Sequence, residues 1–392
     1  KFNLLAFSST NLFNSSLATC KASSFSFEKL FPNGVPFKVI TVAGTNGKGS
    51  TVSFIDSIYQ LSKYKVGRST SPHLLKYNER YAVDGEDASD DVIIEAFEII
   101  EGKREDIKLT YFEFSTLAAF IIFEKAEVDI AILEVGLGGR LDSVNVVDSD
   151  VSIITNIAID HTDYLGDTRE AIGREKAGVM RGSRPCICGD QDPPQSLLAY
   201  AKEIGTDITF VRKAYEDDIG LEGDHQRLNA AVAIQAVESL KEQHPISFSM
   251  IIEGVKSATI KARFEKIEIG EKTIILDVAH NPAAVKTLVD TLSKSSMQTV
   301  AIFSALIDKD IIEMVDLASN AIKHWYLVPL TAERAIESDA LKNKFSNPDS
   351  TTICKDMNSA IQESLAYKEA ERIVIFGSFY TIADASIIIN EL

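Results

Sequence analysis

A glycine-rich run, Ala43-Gly-Thr-Asn-Gly-Lys-Gly-Ser50, joins a β-branched stretch to one with helical spacing. Backbone N–H groups on such a turn, with a helix dipole behind them, can cradle phosphate. The run departs from the common G-x-x-x-x-G-K-S/T pattern, because Val42 stands where the first glycine is expected and Gly49 separates Lys48 from Ser50. Lys48 is expected to touch terminal phosphates and Ser50 to cap the helix. The bland alternative is an ordinary glycine-rich turn.

Three further clusters follow apolar strands. Ile130-Ala-Ile-Leu-Glu134-Val-Gly-Leu-Gly-Gly-Arg-Leu-Asp142 ends a strand in a carboxylate, which makes Glu134 a candidate Mg2+ ligand at a sheet edge. A strand-end Glu can also be merely solvated. Gly136-x-Gly-Gly resembles part of a dinucleotide fingerprint, but that needs a helix directly after it, and Leu141 to Asp150 does not read as one. Thr155-Asn-Ile-Ala-Ile-Asp160-His161-Thr-Asp163 gathers ligand-type side chains after another strand, and puts His161 on the same predicted edge as Glu134. Asp163-x-x-Gly166 resembles a GTPase switch, yet no Asn-Lys-x-Asp guanine box occurs. Asp277-Val-Ala-His280-Asn281-Pro282 closes a strand of the C-terminal part, where a carboxylate at the strand end, with Pro at a helix start, could grip a ribose or base.

The elements that must position these groups alternate strand, turn and helix, the signature of parallel α/β units. Strands are predicted at Lys38 to Ala43, Asp129 to Glu134, Val151 to Asn156 and Pro185 to Cys188, and helices at Ser50 to Leu61, Glu113 to Lys125 and Thr168 to Met180. Irregular spacings favour a doubly wound, mostly parallel sheet over a barrel. A hairpin at Glu265 to Ile269 and Thr273 to Asp277, turning at Gly270-Glu271, marks the expected boundary: residues 1–260 carry the phosphate loop and residues 261–392 form a smaller α/β domain. Strands at Thr299 to Phe303, His324 to Val328, Thr351 to Cys354 and Arg372 to Phe376 belong to the second. A nucleotide would lie between the two.

The 392 residues exceed what one core usually supports. A formal charge of −17 disfavours nucleic acid and anionic lipid, so any phosphate must be held by a local device. No run of 18 apolar residues spans a bilayer. Four cysteines make no disulfide framework, and Cys186 and Cys188 read as core positions. Lys1 to Ser24 lacks a charged leader with an unbroken apolar segment. A cytoplasmic monomer acting on small molecules is expected.

Together the motifs resemble the folylpolyglutamate synthase and dihydrofolate synthase family, relatives of the Mur ligases. The resemblance rests on Gly44-Thr-Asn-Gly-Lys-Gly-Ser50, Ser71-Pro-His-Leu74 with Tyr77-Asn-Glu-Arg80, Thr110-Tyr-Phe-Glu113, Glu134 to Asp142, Asp160-His-Thr-Asp163, Gly173-Arg-Glu-Lys-Ala-Gly178 and Asp277 to Pro282, in that order. It implies that Thr45, Asn46, Gly47, Lys48, Gly49 and Ser50 hold the ATP phosphates. Asn229, Arg263, Asp277 and His280 would hold the rest of the nucleotide. Ser71, Glu134, His161 and Lys176 would ligate two Mg2+ ions, and Thr110, Tyr111, Phe112, Glu113, Leu141, Asp142 and Ser143 would line a pterin site. Lys48, Glu134, His161 and Lys176 would carry catalysis. The family carries a carbamylated lysine at the place of Lys176. On its predicted helix, Ile172, Gly173, Val179 and Met180 give Lys176 no carboxylate at i±3 or i±4. Residues 1–37 lack the family's usual N-terminal helix and Gly-Leu-containing loop, and Lys261-Ala262 replaces its Pro-Gly.

The reaction implied is amide ligation: a carboxylate attacks the γ-phosphate of ATP, and a glutamate amine displaces phosphate from the acyl phosphate. No side-chain nucleophile is needed, in keeping with the lack of a Ser-His-Asp or Cys-His set. Three alternatives stand beside the bifunctional enzyme: a folylpolyglutamate synthase only, a Mur-type ligase with another acceptor, and a P-loop regulatory protein.

Overall fold

In a computed structural model, which describes residues 17–332 and 334–391, the chain forms two compact units. The larger runs to Gly220 and takes in Gln226–Thr259; the smaller contains Leu221–His225 and the chain from Ile260 onward.

The larger unit starts with α1 (Leu17–Leu30), followed by β1 (Lys38–Ala43), α2 (Lys48–Leu61), β2 (Val66–Ser69), β3 (Tyr81–Val83), β4 (Glu86–Asp87), α3 (Asp90–Arg104), α4 (Tyr111–Lys125), β5 (Ile130–Glu134), β6 (Val151–Ile154), α5 (Thr162–Leu165), α6 (Arg169–Ala177), β7 (Cys186–Cys188), α7 (Gln195–Ile204), β8 (Ile208–Phe210), α8 (Asp224–Glu238) and α9 (Phe248–Ser257). Its eight strands run β4-β3-β2-β5-β1-β6-β7-β8, antiparallel only at β2/β3 and β3/β4. The continuous apolar runs of β1 and β5 follow from burial on both faces. β1 lies between β5 and β6, parallel to both, so the ends of all three open on one edge. The chain leaves β1 toward one side and later toward the other, which makes this a topological switch point where such sheets bind ligands.

The smaller unit continues with β9 (Glu265–Ile269), β10 (Lys272–Leu276), α10 (Pro282–Leu292), β11 (Thr299–Phe303), α11 (Ile311–Ala318), β12 (Trp325–Leu327), α12 (Ser338–Lys342), β13 (Thr351–Ile353), α13 (Met357–Ala366), β14 (Arg372–Phe376) and α14 (Phe379–Ile389). Its order is β13-β12-β11-β14-β10-β9, parallel except for the edge hairpin β9/β10. Gly270 takes the positive φ of 62° that the hairpin turn requires. Phe303, Trp325, Phe345 and Phe376 fill the core edge to face and tilted, with centroids 4.9–6.4 Å apart. The α/β class expected from the strand-helix alternation is what both units show.

Several strand and helix ends shift by one or two residues from the sequence reading, and four departures have a clear physical reason. Residues 17–30 do form a helix, despite a Ser-rich composition, because Phe27 and Phe31 bury against the Phe120 ring at 5.4 and 6.1 Å; residues 1–16 lie outside the described residues. α2 begins at Lys48, with Gly47 as N-cap in the left-handed region, so Ser50 sits inside the first turn and caps nothing. β6 stops at Ile154 because Thr155 and Asn156 turn toward the glycine-rich loop. α6 is shorter than Thr168 to Met180: the Thr168 side chain caps its start and Gly178 its end.

Candidate active site

The glycine-rich loop leaves β1 with Gly44, where any side chain is excluded: a Cβ would stand 1.8 Å from Thr155 Oγ1. Gly47 has φ 82°, and a Cβ there would meet Asn229 Oδ1 of α8 at 2.7 Å. The segment after β6 holds the loop from below. Thr45 N–H donates to the Asn156 carbonyl (2.9 Å), Asn46 N–H to Asn156 Oδ1 (2.9 Å) and the Thr155 hydroxyl to the Asn46 carbonyl (2.6 Å). Neither Thr155 nor Asn156 stood out as a site residue in the sequence. The available signal was two polar residues ending an apolar strand, in register beside the end of β1.

Two lysines converge on this loop. Lys48 Nζ donates to the carbonyls of Gly44 and Thr45, each at 3.1 Å, and Lys176 Nζ donates to the same Gly44 carbonyl at 2.9 Å. Lys176 is buried. Burial and then the neighbouring Lys48 ammonium push its amine down to about 7, against the opposing pull of Asp160 and Asp142.

Glu134, at the end of β5, is buried, and its Oε2 accepts the Ser71 N–H at 3.2 Å. His161 takes a left-handed backbone (φ 53°) at the start of α5, and its N–H donates to the side chain of Asp160 at 2.8 Å. Asp142 is fully buried and accepts the N–H groups of Leu137 (2.8 Å) and Val144 (3.0 Å). Burial pushes its carboxyl up to about 6, although backbone N–H groups and Lys48 pull the other way.

The Gly136-x-Gly-Gly stretch serves close packing. A Cβ on Gly136 would run into the Phe112 ring at 2.5 Å, and one on Gly139 would meet carbonyls of α6 at 3.0 and 3.1 Å. A short 3-10 turn, Ser143–Val146, follows it in place of the α-helix a dinucleotide site requires. Ser143 Oγ meets Thr116 Oγ1 of α4 at 2.5 Å, which joins the Leu141–Ser143 segment to the helix that begins after Thr110. Thr110 and Glu113 bond reciprocally as a capping box, so their side chains also do structural work. The Tyr111 ring lies 5.5 Å from the buried Arg80 guanidinium.

In the smaller unit, Asp277 follows β10 directly. Its two oxygens accept from Phe264 N (2.8 Å) and Ala279 N (2.8 Å). Burial raises its carboxyl above the usual range, with Arg263 pulling against it. Arg263 and His280 both lie against the Phe379 ring, at 5.6 and 6.0 Å. The Asn281 side chain caps α10, with Pro282 in its first turn.

Residues 42–203 match the Mur ligase middle domain, and residues 262–379 match the Mur ligase glutamate ligase domain. The chain is 36% identical over 374 residues to the dihydrofolate synthase/folylpolyglutamate synthase of Escherichia coli, covering 91% of this chain and 87% of that protein. It therefore belongs to the dihydrofolate synthase/folylpolyglutamate synthase family of Mur ligases. The Haemophilus influenzae member is 35% identical, covering 89% of this chain and 88% of that one. The structure of E. coli FolC in complex with DHPP and ADP superposes with a TM-score of 0.90 at 33% identity, covering 98% of this chain and 95% of that chain. A bifunctional member solved with Mn, AMPPNP and L-glutamate bound superposes at 0.87 and 36% identity, covering 96% and 95%. Family membership makes the chain an ATP-dependent glutamate ligase and removes the P-loop regulatory alternative.

Proposed function

We propose that this chain adds L-glutamate both to dihydropteroate and to reduced folates, through an acyl phosphate. The observation that carries this reading is the junction of α4 with the Leu141–Ser143 segment, through Thr116 to Ser143 and Phe112 on Gly136. The two stretches that the resemblance assigns to the pterin thus share one corner beside the phosphate loop. A substrate carboxylate oxygen attacks the γ-phosphorus and ADP leaves. The glutamate amine then attacks the acyl carbonyl, loses a proton and expels inorganic phosphate. Thr45–Ser50, with the Lys48 ammonium, hold the phosphates, Arg263, His280 and Asn229 serve the nucleotide, and Asp277 acts by holding the Phe264 and Ala279 amides next to Arg263.

Ser71, Glu134, His161 and Lys176 would hold two Mg2+ ions, which neutralise charge on the transferring phosphoryl group. Among the described residues no three His, Cys, Asp or Glu side chains form a cage of their own. That suits Mg2+, which commonly takes one or two carboxylates and completes its shell with phosphate and water. Lys176 joins this set as a carbamate. With its pKa lowered to about 7, much of the amine is neutral at physiological pH and can add to CO2, forming a C–N bond and releasing a proton. The product is an anion with hard oxygen donors, where an ammonium beside Lys48 and Mg2+ would be repelled.

The enzyme acts as a cytoplasmic monomer on small molecules. No described helix is long and apolar enough to cross a membrane, and the net charge of −17 disfavours nucleic acid. Phosphate release with MgATP and glutamate, measured separately with dihydropteroate and with tetrahydrofolate, tests the reading. Release with both is expected; release only with folates that already carry glutamate would make the chain an extender alone.

A further inference from the structure

The underside of the phosphate loop is itself held by an ion pair, buried at its carboxylate, that lies outside every motif. Asn156, Ile157 and Ala158 present polar groups on two sides. Toward the loop, the Asn156 carbonyl and Oδ1 accept from Thr45 and Asn46, while Ala158 exchanges two hydrogen bonds with the Thr45 hydroxyl, at 3.0 and 3.1 Å. Away from the loop, Ile157 is gripped at both of its backbone groups. Its N–H donates to Asp190 Oδ2 at 2.6 Å, and its carbonyl accepts from Arg169 Nε at 3.0 Å.

These two side chains also bind each other. Arg169 Nη2 donates to Asp190 Oδ1 at 3.0 Å and Oδ2 at 3.3 Å, and Asp192 N–H donates to Oδ1 at 2.9 Å. Asp190 follows β7 and is 5% exposed, so its oxygens are committed to these donors. Arg169 is the first residue of α6, the helix that carries Lys176 two turns later.

We infer that Asp190 and Arg169 are positioning residues for phosphate binding: they fix residues 156–158, and through them the Thr45–Asn46 amides, the turn into Asp160-His161 and the start of α6. The charge pair is buried on the Asp190 side, where a committed carboxylate resists displacement far more than a solvated one. This rests on the assignment of Thr45–Ser50 to the ATP phosphates, which Lys48→Ala tests independently.

The decisive variant is Asp190→Asn. An amide offers one acceptor oxygen and an NH2 group where three N–H donors converge, so one donor is left facing another. Amide hydrogen exchange of the full-length protein, without nucleotide or metal, should become at least about 10-fold faster at Thr45, Asn46, Ile157 and Ala158, while β11 and β14 of the smaller unit keep their rates. In turnover, KM for MgATP should rise by about 10-fold or more, the usual cost of losing a supporting contact behind a ligand-binding group, while KM for glutamate stays within about two-fold. Arg169→Met in the Asp190→Asn background should add little beyond the worse single change, since both grip one residue. Arg169→Lys, which keeps charge but cannot bridge Ile157 and Asp190, should fall between wild type and Met, and it serves if Asp190→Asn does not fold.

Unchanged exchange at those four amides, or a fall in melting temperature with KM for MgATP unmoved, would overturn the inference. Penalties that multiply in the double variant would do the same. If Lys48→Ala retains turnover, the phosphate-loop assignment fails instead, whatever Asp190→Asn does.

Discussion

Lys176 in the larger unit, buried, and Asp277 in the smaller one, half-buried, are both ionisable groups beside a strand end, yet they are used in opposite ways. Asp277 spends both oxygens on its own backbone neighbours, Phe264 N and Ala279 N, and has a cation, Arg263, acting on it. Lys176 shares the Gly44 carbonyl with a second cation, Lys48. Asp277 thus meets donors and a cation, whereas Lys176 meets a second cation at one carbonyl, with Asp160 and Asp142 pulling the other way. The comparison sets a carboxylate held by its own backbone neighbours against a lysine pair whose mutual repulsion an anion bound there would relieve.

The largest effect should come from Lys48→Ala, which would remove the point charge proposed for the terminal phosphates. Ligation should fall by roughly 1000-fold or more, a loss of the size seen when a transferring phosphoryl group is deprived of a charge partner. The melting temperature should hold or rise, because the neighbouring Lys176 is relieved. Near-normal turnover would show that the lysine pair is structural.

Lys176→Ala should cost about 100-fold if a carbamate ligates metal there. Acetate or formate should restore part of the rate by occupying the vacated space with a carboxylate. An active variant indifferent to added carboxylate would place Lys176 with Asp277 as a group that only builds.

The two corners also differ in the sign of their pH dependence. A lysine whose pKa drops from 10.5 to about 7 on folding leaves the unfolded chain holding more protons between those values. Stability therefore rises with pH from about 7 toward 10.5, and below 7 the full penalty remains; its size is on the order of a few kcal/mol. Asp277 runs the other way: with its pKa raised on folding, its contribution falls as pH climbs from 3.8 through the folded value. Denaturant titrations of wild type and Lys176→Met under CO2-free buffer isolate the first term. A difference that stays flat between pH 7 and 10 would refute the shifted amine.

Much of this was legible in the residues. Continuous β-branched runs located β1, β5, β11 and β14, and the Gly-Glu turn located the hairpin, because a strand buried on both faces has few ways to be written. The ligand-type side chains were legible as clusters at strand ends. What resisted reading depends on long-range contact. α1 looked too polar until Phe120 supplied a partner for Phe27 and Phe31. The position of Ser50 inside α2 follows from the left-handed backbone of Gly47, which propensity does not report. Asp190 and Arg169 belong to no spacing rule, since β7 and the start of α6 meet at Ile157 only in the folded sheet.

The smallest expected effect sharpens the contrast from the other side. Asp277→Asn keeps the shape of the side chain and one acceptor oxygen, so one of the Phe264 and Ala279 amides keeps its bond and the other faces an NH2 group. Losing a charge-assisted hydrogen bond costs about 1.5–3 kcal/mol. Against this, the variant no longer carries the penalty of a buried carboxylate whose pKa is raised, and the two terms partly cancel. A net destabilisation of about 1 kcal/mol is expected at pH 7. As pH falls and the wild-type carboxyl takes up its proton, it can no longer accept at both oxygens and the difference should shrink. Differential scanning calorimetry of both proteins at pH 7 and pH 4 measures it. Should Asp277→Asn instead destroy turnover as thoroughly as Lys48→Ala while leaving the melting curve in place, Asp277 would be acting on the nucleotide directly, and the distinction drawn between the two corners would collapse.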